Sequence, residues 1–267
     1  MIKHIFSDMD GTLLQSDCTL SENNIKVIKE SQIPFTLVSA RSPMEMTEAI
    51  AQLGLTEPQI GFNGGLIFQK NASGLKILHQ APIELKGVQE ILEMMQQEFP
   101  DVSCSLYDLD HWYVEKMDRG VKHEAKLGGQ TPEIANFVSL LKQPTIKIFK
   151  VMMISFDETE MKRLSERLSQ LNPELFNAKQ SGTEYLEVTS NLAHKSHGIK
   201  YIQESEQLKK SEMAAFGDGY NDLSMLEMVG TPIVMDNALD GVKEYGKYIT
   251  LDNDNDGVAH GIQKYLV

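Results

Sequence analysis

Apolar, strand-like runs alternate with segments of helical spacing at both ends of this chain, and this alternation constrains the possible folds more than any other feature. The runs HIFS (4–7) and PFTLVS (34–39) flank the helix-periodic segment LSENNIKVIKES (20–31). The same order resumes after about residue 190 and includes the run MAAF (213–216). Parallel strands joined by crossover helices produce such an order. The pattern therefore predicts an α/β protein whose core is a doubly wound, Rossmann-like parallel sheet.

The segment between residues 82 and 189 has a different texture. Helix-periodic stretches there accompany long apolar runs, among them TIKIFKVMMISF (145–156) and TEYLEVT (183–189). This is a self-contained α+β pattern. We predict that residues 1–81 and 190–267 form the core and that residues 82–189 form an inserted domain. The apolar faces of its two helices are predicted to consist of Val88, Ile91, Leu92 and Met95, and of Met161, Leu164, Leu168 and Leu171.

One helix is marked at both of its ends. Ser42 is a candidate N-cap, Pro43 stands at the first helical position, and Glu45 would complete a capping box. Gly54 follows the last periodic residue, where glycine commonly ends a helix. We therefore predict a helix that starts directly after the strand-like run ending at Ser39.

Charge and composition exclude several kinds of partner. The chain has 38 acidic and 25 basic residues, a formal net charge of −13, and no basic run, which argues against nucleic acid as a partner. No stretch of about eighteen apolar residues is present, so no membrane span is expected. Cys18 and Cys104 lack metal-type spacing and are predicted to be free thiols in a reducing compartment, by default the cytoplasm. No obligate protein partner is inferred.

Polar residues follow three of the predicted strands directly. Asp8 and Asp10 come after the first strand, Ser39 after the second, and Asp218 after MAAF (213–216). Ligands of open α/β sheets bind beyond the carboxyl ends of the strands. Segments distant in sequence could therefore deliver carboxylates and one hydroxyl group to a single crevice.

Several carboxylates in one crevice require a cation. Asn221 and Asp222 would lie on the same side of a helix as Asp218, and oxygen ligands of this kind favour a hard ion, usually Mg²⁺ where phosphate is also bound. A basic residue should complete the site, and Lys195 at the start of a predicted helix is our choice. Local pattern alone leaves three other basic residues possible: Lys3, Arg41 and Lys200.

These residues resemble the signature of a known family. DMDGT (8–12), Ser39, Lys195 and GDGYND (217–222) resemble, in order and approximate spacing, the four motifs of the haloacid dehalogenase superfamily of phosphatases. The large insert and the GDxxND form of the last motif resemble the Cof-type subfamily, which carries a type IIB α/β cap. The resemblance spans nearly the whole chain. It implies a Mg²⁺-dependent phosphomonoesterase acting on small phosphorylated metabolites, sugar phosphates first and phosphorylated cofactors such as flavin mononucleotide or pyridoxal phosphate second.

The resemblance also implies roles for individual residues. Asp8 would be the nucleophile that forms an aspartyl phosphate, and Asp10 would be the general acid and base. The metal would be held by Asp8, Asp218 and the backbone carbonyl of Asp10. Phosphate binding is expected from five positions: Met9, Ser39, Ala40, Lys195 and Asn221. Supporting roles are expected for Thr12 behind Asp8 or Asp10, and for Arg41, Gly219 and Asp222.

Two positions depart from the family pattern. Ser39, Ala40 and Arg41 stand where many relatives have Thr-Gly-Arg, which keeps the hydroxyl group but adds a methyl group beside the phosphate path. Ser196 follows Lys195 where glycine is common, which makes the third motif less regular. We expect activity to survive both changes.

Some features allow a structural interpretation as well as a functional one. Asn63 could face the site or only form a turn with Gly64. The acidic run DNDNDG (252–257) has the first half of an EF-hand loop, but its twelfth position is Gln263, so we favour a surface loop in which Asp256 caps the last helix and leave ion binding there open. His194 and His197 lack a third soft ligand and are not predicted to bind metal.

Two other functions remain open at this stage. A phosphomutase would use the same nucleophile and return the phosphoryl group to its substrate. A catalytically silent module would bind metal or phosphate without turnover. The oligomeric state, the physiological substrate and the cap residues that touch it do not follow from the sequence.

Overall fold

The computed structural model describes residues 1–71 and 74–267. The strands are β1 (His4–Ser7), β2 (Phe35–Leu37), β3 (Gln59–Gly61), β4 (Leu66–Asn71), β5 (Gly74–Gln80), β6 (Ser103–Tyr107), β7 (Trp112–Val114), β8 (Glu133–Ile134), β9 (Lys150–Ile154), β10 (Asn177–Gln180), β11 (Tyr185–Thr189), β12 (Met213–Gly217), β13 (Thr231–Val234) and β14 (Tyr248–Ile249). The α-helices are α1 (Glu22–Ser31), α2 (Pro43–Leu53), α3 (Leu85–Glu98), α4 (Arg119–Gly128), α5 (Phe137–Leu140), α6 (Glu158–Leu168), α7 (Lys195–Ser205), α8 (Leu223–Leu226), α9 (Asp240–Lys243) and α10 (Gly257–Tyr265).

The chain divides into two compact units. The core unit consists of Met1–Arg41, Met46–Gln80 and His194–Val267, and the insert unit consists of Ser42–Glu45 and Ala81–Ala193. The division therefore assigns the start of α2 to the insert unit and the rest of that helix to the core unit.

The core unit contains a five-stranded parallel sheet with the strand order β14-β13-β12-β1-β2. The first strand lies in the interior of this sheet, and Ile5 and Phe6 are fully buried. A central, doubly buried strand explains why this stretch is continuously apolar. The predicted doubly wound α/β class is confirmed. A smaller antiparallel sheet, β3-β4-β5, belongs to the same unit.

The insert unit is built on one six-stranded sheet with the order β10-β11-β9-β6-β7-β8. Its apolar cluster joins sheet residues such as Leu106 and Val151 to the helices α3 and α6. Most of the residues predicted from helical spacing are buried in this cluster: Val88, Ile91 and Met95 on α3, and Met161, Leu164 and Leu168 on α6. Leu92 and Leu171 pack against it while partly buried, and Leu171 lies beyond the end of α6. Full burial stabilises each such side chain by roughly 1.5–3 kcal/mol, so these stripes hold the unit together.

The predicted capping box of α2 is present. The Ser42 amide donates to Glu45 Oε2 at 2.7 Å, and the Glu45 amide donates to Ser42 Oγ at 3.4 Å. Gly54 follows the helix with a φ of +69°, a left-handed conformation that glycine adopts without a steric penalty. Helix α2 therefore starts and ends where its sequence signals indicate.

Other local predictions were wrong. Asp218, Asn221 and Asp222 do not share a helix, because α8 begins only at Leu223 and the Asp222 amide closes a turn onto the Gly219 carbonyl at 2.9 Å. Helix α8 ends at Leu226, where the Met228 amide closes a tighter turn onto the Met225 carbonyl. Asp256 precedes α10 but does not cap it, since its carboxylate accepts a hydrogen bond from Asn23.

Cys18 and Cys104 are both free thiols, as predicted. Burial raises the pKa of Cys104 to about 12, which makes this thiol unreactive at neutral pH. Within residues 1–71 and 74–267, no helix has both the length and the apolarity needed to cross a bilayer.

Candidate active site

The loop after β1 brings Asp8 to the carboxyl end of the parallel sheet. The Asp8 amide donates to the Phe216 carbonyl of β12 at 3.0 Å, so the strand pairing continues to this residue. A single wide turn of π type over Met9–Leu13 follows, and it closes with a bond from the Leu14 amide to the Met9 carbonyl at 2.8 Å. Asp8 is therefore held in place from both sides.

Gly11 allows this turn to pass beside Asp218. Its φ is +73°, and a Cβ atom added here would lie 2.5 Å from Asp218 Oδ2. Any side chain would have to displace that carboxylate, in addition to straining the backbone. The glycine of the first motif thus fits a close approach between the first and last motifs. The Asn237 side chain, which the sequence analysis did not single out, steadies the turn by donating to the Gly11 carbonyl at 2.8 Å.

Lys195 joins the first and last acidic segments. Its Nζ donates to Asp8 Oδ1 at 2.5 Å and to Asp222 Oδ1 at 2.7 Å, and its side chain is 1% exposed. Two of the three alternatives considered from the sequence lie elsewhere, since Lys3 pairs with Glu212 and Lys200 with Glu204, and both lysines are exposed. The third, Arg41, binds Asp10. Of the candidate lysines, only Lys195 lies among the predicted acidic residues.

Asp222 organises the last motif. Its Oδ2 accepts hydrogen bonds from the backbone amides of Asp218 at 3.0 Å and Gly219 at 2.9 Å. Its other oxygen accepts from Lys195, so both oxygens of this buried carboxylate are hydrogen-bonded and it holds the loop to the lysine. Thr12 was predicted to support Asp8 or Asp10, and this prediction was wrong. Thr12 Oγ1 instead donates to Asp218 Oδ1 at 2.6 Å.

Burial and like charges set the protonation of this cluster. Burial raises the pKa of Asp8 well above its ordinary value, and the charge of Asp222 adds to the effect, while Lys195 opposes it. Burial also raises the pKa of Asp218 to about 6, against the hydrogen bond from Thr12, with Asp222 again raising it. Burial disfavours the charge on Lys195, but Asp222 and Asp8 outweigh this and raise its pKa above the ordinary value. The cluster therefore carries more negative potential than one ammonium group neutralises.

These carboxylates could hold a metal ion. Asp8, Asp218 and Asp222 each offer an oxygen, and these atoms all lie within 4.8 Å of one another. Asp222 is already engaged with Lys195 and two amides, which leaves Asp8 and Asp218 as the better ligands. Buried carboxylates with raised pKa values are stabilised by a nearby cation. The donor set thus fits a hard, oxygen-binding metal.

A second group of predicted residues is built around Asp10. Arg41 holds this carboxylate with two hydrogen bonds, from Nε to Oδ2 at 2.9 Å and from Nη2 to Oδ1 at 2.6 Å. The Arg41 amide donates to Ser39 Oγ at 3.1 Å, and Ser39 is fully buried. The pairing of Arg41 with Asp10 was not predicted, because the two residues are 31 positions apart and no local pattern links them.

Asn63 lies next to this group. Its amide donates to the Ser39 carbonyl at 2.8 Å, and its Oδ1 is a buried atom with no hydrogen-bond partner among the described residues. A Cβ atom on the adjacent Gly64 would overlap the carbonyl of His194, directly before Lys195. Asn63 does form the predicted turn, with a φ of +55°. The turn thus connects the segments that carry Ser39 and Lys195.

For three further predicted residues, the structure shows where each one lies. Met9 is buried in the turn after Asp8, and Ala40 lies between Ser39 and Arg41. The Asn221 side-chain oxygen lies against Gly219, where a Cβ atom would be 2.3 Å from it. Their roles in phosphate binding remain predictions.

Among the described residues, the carboxylate cluster of Asp8, Asp218 and Asp222 includes neither the acidic loop nor the pair His194 and His197. In the acidic loop, the Asp252 carboxylate accepts hydrogen bonds from Asn255 within the loop, and the Asp254 carboxylate accepts from the amide and hydroxyl of Ser16. The rings of His194 and His197 are in edge-to-face contact at 5.2 Å, and both residues are exposed.

The segment that forms the parallel sheet is interrupted in sequence by the insert, and the sheet brings an aspartate at a strand end against a buried lysine and further carboxylates. This arrangement is typical of phosphoryl-transfer hydrolases. The match to known proteins agrees with this class. A family model described as haloacid dehalogenase-like hydrolase matches residues 5–262. The chain belongs to this family, as its motifs predicted, and is a phosphomonoesterase by class.

Individual relatives cover the whole chain. A candidate phosphatase from Haemophilus influenzae is 30% identical over 97% of this chain and 96% of the relative. The 5-amino-6-(5-phospho-D-ribitylamino)uracil phosphatase YwtE from Bacillus subtilis is 25% identical over 99% of this chain and 98% of the relative. In structure, a haloacid dehalogenase-like hydrolase from Bacteroides thetaiotaomicron superposes with a TM-score of 0.89 at 26% identity, covering 99% of each chain. The subclass IIB sugar phosphatase BT4131 shares the fold, with a TM-score of 0.82 at 18% identity and 98% of each chain covered.

Proposed function

We propose that this protein is a Mg²⁺-dependent phosphatase that hydrolyses small phosphorylated metabolites, with sugar or polyol phosphates as the leading substrate class, through an aspartyl-phosphate intermediate. The observation that carries the proposal is the buried Lys195 bridging Asp8 and Asp222 next to Asp218. An ammonium group and a carboxylate held together at a strand end are the parts that nucleophilic attack on a phosphate ester requires.

In the first step, a carboxylate oxygen of Asp8 attacks phosphorus, and the bond from phosphorus to the ester oxygen breaks. Asp10 gives a proton to the departing oxygen. In the second step, Asp10 takes a proton from water, the water oxygen bonds to phosphorus, and the bond to Asp8 breaks, which releases inorganic phosphate. Lys195 stabilises the ionised Asp8 and the negative charge on the phosphoryl oxygens throughout.

Positive charge is needed for an anionic carboxylate to approach an anionic ester. Asp8, Asp218 and the backbone carbonyl of Asp10 are the groups we assign to Mg²⁺. When bound, the ion offsets the repulsion between nucleophile and phosphate. The remaining phosphoryl contacts are assigned to the amides of Met9 and Ala40, the Ser39 hydroxyl and the Asn221 side chain, with Thr12, Arg41, Gly219 and Asp222 positioning these groups.

The domain roles and the substrate class are also part of the proposal. Residues 82–189 are proposed to act as a cap domain of type IIB that selects the substrate, on the family resemblance described above. A polyol phosphate is favoured because YwtE, which matches nearly the entire chain, is named for a substrate with a phosphorylated ribityl group. A flexible, hydroxyl-rich leaving group is thus the first chemistry to test.

The test is a screen of phosphorylated sugars, polyols and cofactors with purified protein, measuring kcat/KM for phosphate release with Mg²⁺ and after EDTA. We expect turnover of at least one sugar or polyol phosphate and its loss with EDTA. Labelled substrate distinguishes the alternatives: label in a product isomer would indicate a phosphomutase. Absence of turnover for all substrates, including p-nitrophenyl phosphate, would indicate a silent binding module.

Metal binding should depend on pH through Asp218. Because its folded pKa of about 6 lies above the ordinary value of 3.8, the metal-free protein binds this proton more tightly than the unfolded chain does. Its stability contribution is therefore lost as pH rises through about 6, while the ionised carboxylate becomes available to Mg²⁺. We expect the rise in Tm caused by Mg²⁺ to be small near pH 5 and to increase through about pH 6.

Thermal unfolding with and without Mg²⁺ at several pH values measures this effect. The variant Asp218→Asn is the control, because it removes the titrating ligand and should show a small Tm shift at every pH. An equally large shift in the unmodified protein at about pH 5 and about pH 7, roughly one unit on either side of the transition, would contradict the assignment.

A further inference from the structure

The peptide bond between Arg41 and Ser42 lies where the chain passes from the core unit to the insert unit. Both of its polar groups are held. The Arg41 carbonyl accepts from the Phe62 amide at 3.0 Å, and the Ser42 amide donates to Glu45 Oε2 at 2.7 Å. Because a peptide group is planar, these two bonds fix the orientation of the whole group. The backbone leading to the Arg41 side chain is therefore set partly by Glu45.

Arg41 in turn sets the position of Asp10. The side chain of Asp10 is 54% exposed, while that of Arg41 is 21% exposed, and the guanidinium group binds both carboxylate oxygens. A bidentate pair of this kind restricts a carboxylate to one plane, whereas a half-exposed side chain alone would sample several rotamers. The direction in which Asp10 presents its oxygens thus depends on where Arg41 is held.

Glu45 is itself held by a buried cation. Lys150 Nζ lies 3.6 Å from Glu45 Oε2, the same oxygen that accepts from Ser42, and the two side chains are 4% and 11% exposed. Lys150 belongs to β9, which is paired with β11 on one side and β6 on the other, and its Nζ lies 4.3 Å from the centre of the Tyr107 ring. A buried ammonium group anchored on an interior strand is a fixed point for Glu45.

We propose that Lys150 is a positioning residue for Asp10, acting through Glu45, the peptide bond between Arg41 and Ser42, and the Arg41 guanidinium group. The inference rests on the proposed function, because it takes Asp10 as the acid that protonates the leaving oxygen. Lys150 needs no contact with the reacting atoms in this role. It determines the orientation of the Asp10 carboxylate relative to the leaving oxygen.

This role has a kinetic signature. Protonation of the leaving group matters more when that group is a poor one. A wrongly oriented Asp10 should therefore slow the hydrolysis of phenyl phosphate more than that of p-nitrophenyl phosphate. The two esters share the phosphoryl group and the aromatic ring and differ only in the para nitro group, so a change in how the phosphoryl group is bound would affect both. The first irreversible step is reported by kcat/KM, which is the quantity to compare.

The experiment measures kcat/KM for both esters in the unmodified protein and in four variants. Lys150→Met removes the ammonium group and keeps the length of the side chain. The double variant Lys150→Met with Glu45→Gln removes both charges of this pair, so that neither charge stays buried without the other. Its glutamine still offers an oxygen that can accept from the Ser42 amide. Lys150→Arg restores the charge. Lys147→Met is the matched control, an exposed lysine shortly before β9.

We expect the ratio of kcat/KM for phenyl phosphate to that for p-nitrophenyl phosphate to fall about tenfold in Lys150→Met and in the double variant. It should recover at least in part in Lys150→Arg and stay unchanged in Lys147→Met. An unchanged ratio in a folded double variant would overturn the inference and leave the proposed function intact. Failure of the unmodified protein to hydrolyse either ester with Mg²⁺ would reject the proposed function, and this inference with it.

Discussion

Replacing Asp8 by asparagine is expected to lower kcat by at least about 10⁴-fold while leaving the fold intact, because the amide cannot attack phosphorus. The fold should survive since asparagine has nearly the same shape and Lys195 keeps its bond of 2.7 Å to Asp222. Burial and the charge of Asp222 raise the pKa of Asp8, so the charge removed by the substitution is one that the folded protein accommodates poorly without metal. The melting temperature should therefore change little in the absence of Mg²⁺.

The measurement combines steady-state kinetics on the best substrate of the screen with thermal unfolding. Asp101→Asn provides the matched control, because this aspartate is exposed and lies in the insert unit. It should leave both kcat and Tm unchanged. A folded Asp8→Asn variant that keeps more than about one hundredth of the activity would exclude the covalent route through Asp8.

Replacing Lys195 by methionine should abolish activity and also destabilise the protein strongly. Asp8 and Asp222 would lose their shared cation while remaining 5% and 0% exposed. Removing one partner from a buried ion pair typically costs about 3–5 kcal/mol, because the remaining charge is left uncompensated. Both effects have the same origin, since the ammonium group that activates Asp8 also neutralises the buried carboxylates.

Lys200→Met is the control on the same helix. Lys200 and Glu204 are exposed and 4.0 Å apart, so their contribution is expected to be at most about 0.5 kcal/mol. Urea unfolding at neutral pH without metal gives the free energy of unfolding for both variants. If Lys195→Met were no less stable than Lys200→Met, the interpretation of Lys195 as the neutralising cation of this cluster would be wrong.

Local sequence was sufficient for features whose physical cause is local. The continuous apolar run of β1, the capping box of α2 and the apolar stripes of α3 and α6 follow from burial, backbone hydrogen bonding and helical spacing within a few residues. The motifs at the strand ends were recognisable for a similar reason. A parallel sheet collects whatever follows its strands at one edge, so the order of strands already places Asp8, Ser39 and Asp218 near one another.

Other elements carried no such local signal. Strand β10 is an edge strand with the polar sequence NAKQ, and nothing in its composition distinguishes it from a loop. Strand β6 contains Ser103 and Ser105, which are buried; α4 packs against this strand closely enough that a Cβ atom on Gly120 would lie 2.3 Å from Ser103 Oγ. The burial that makes such residues strand-forming comes from distant chain segments and cannot be read from the residues themselves.

The sequence by itself determined the fold class and the set of chemical groups, because the succession of strands and helices along the chain and the residue types can be read from it directly. Only the tertiary structure decided which group touches which. Thr12 binds Asp218 across 206 positions, and Lys195 binds Asp8 across 187. Such pairings depend on distances of a few ångströms between segments that no local interaction connects, and folding of the whole chain alone brings them together.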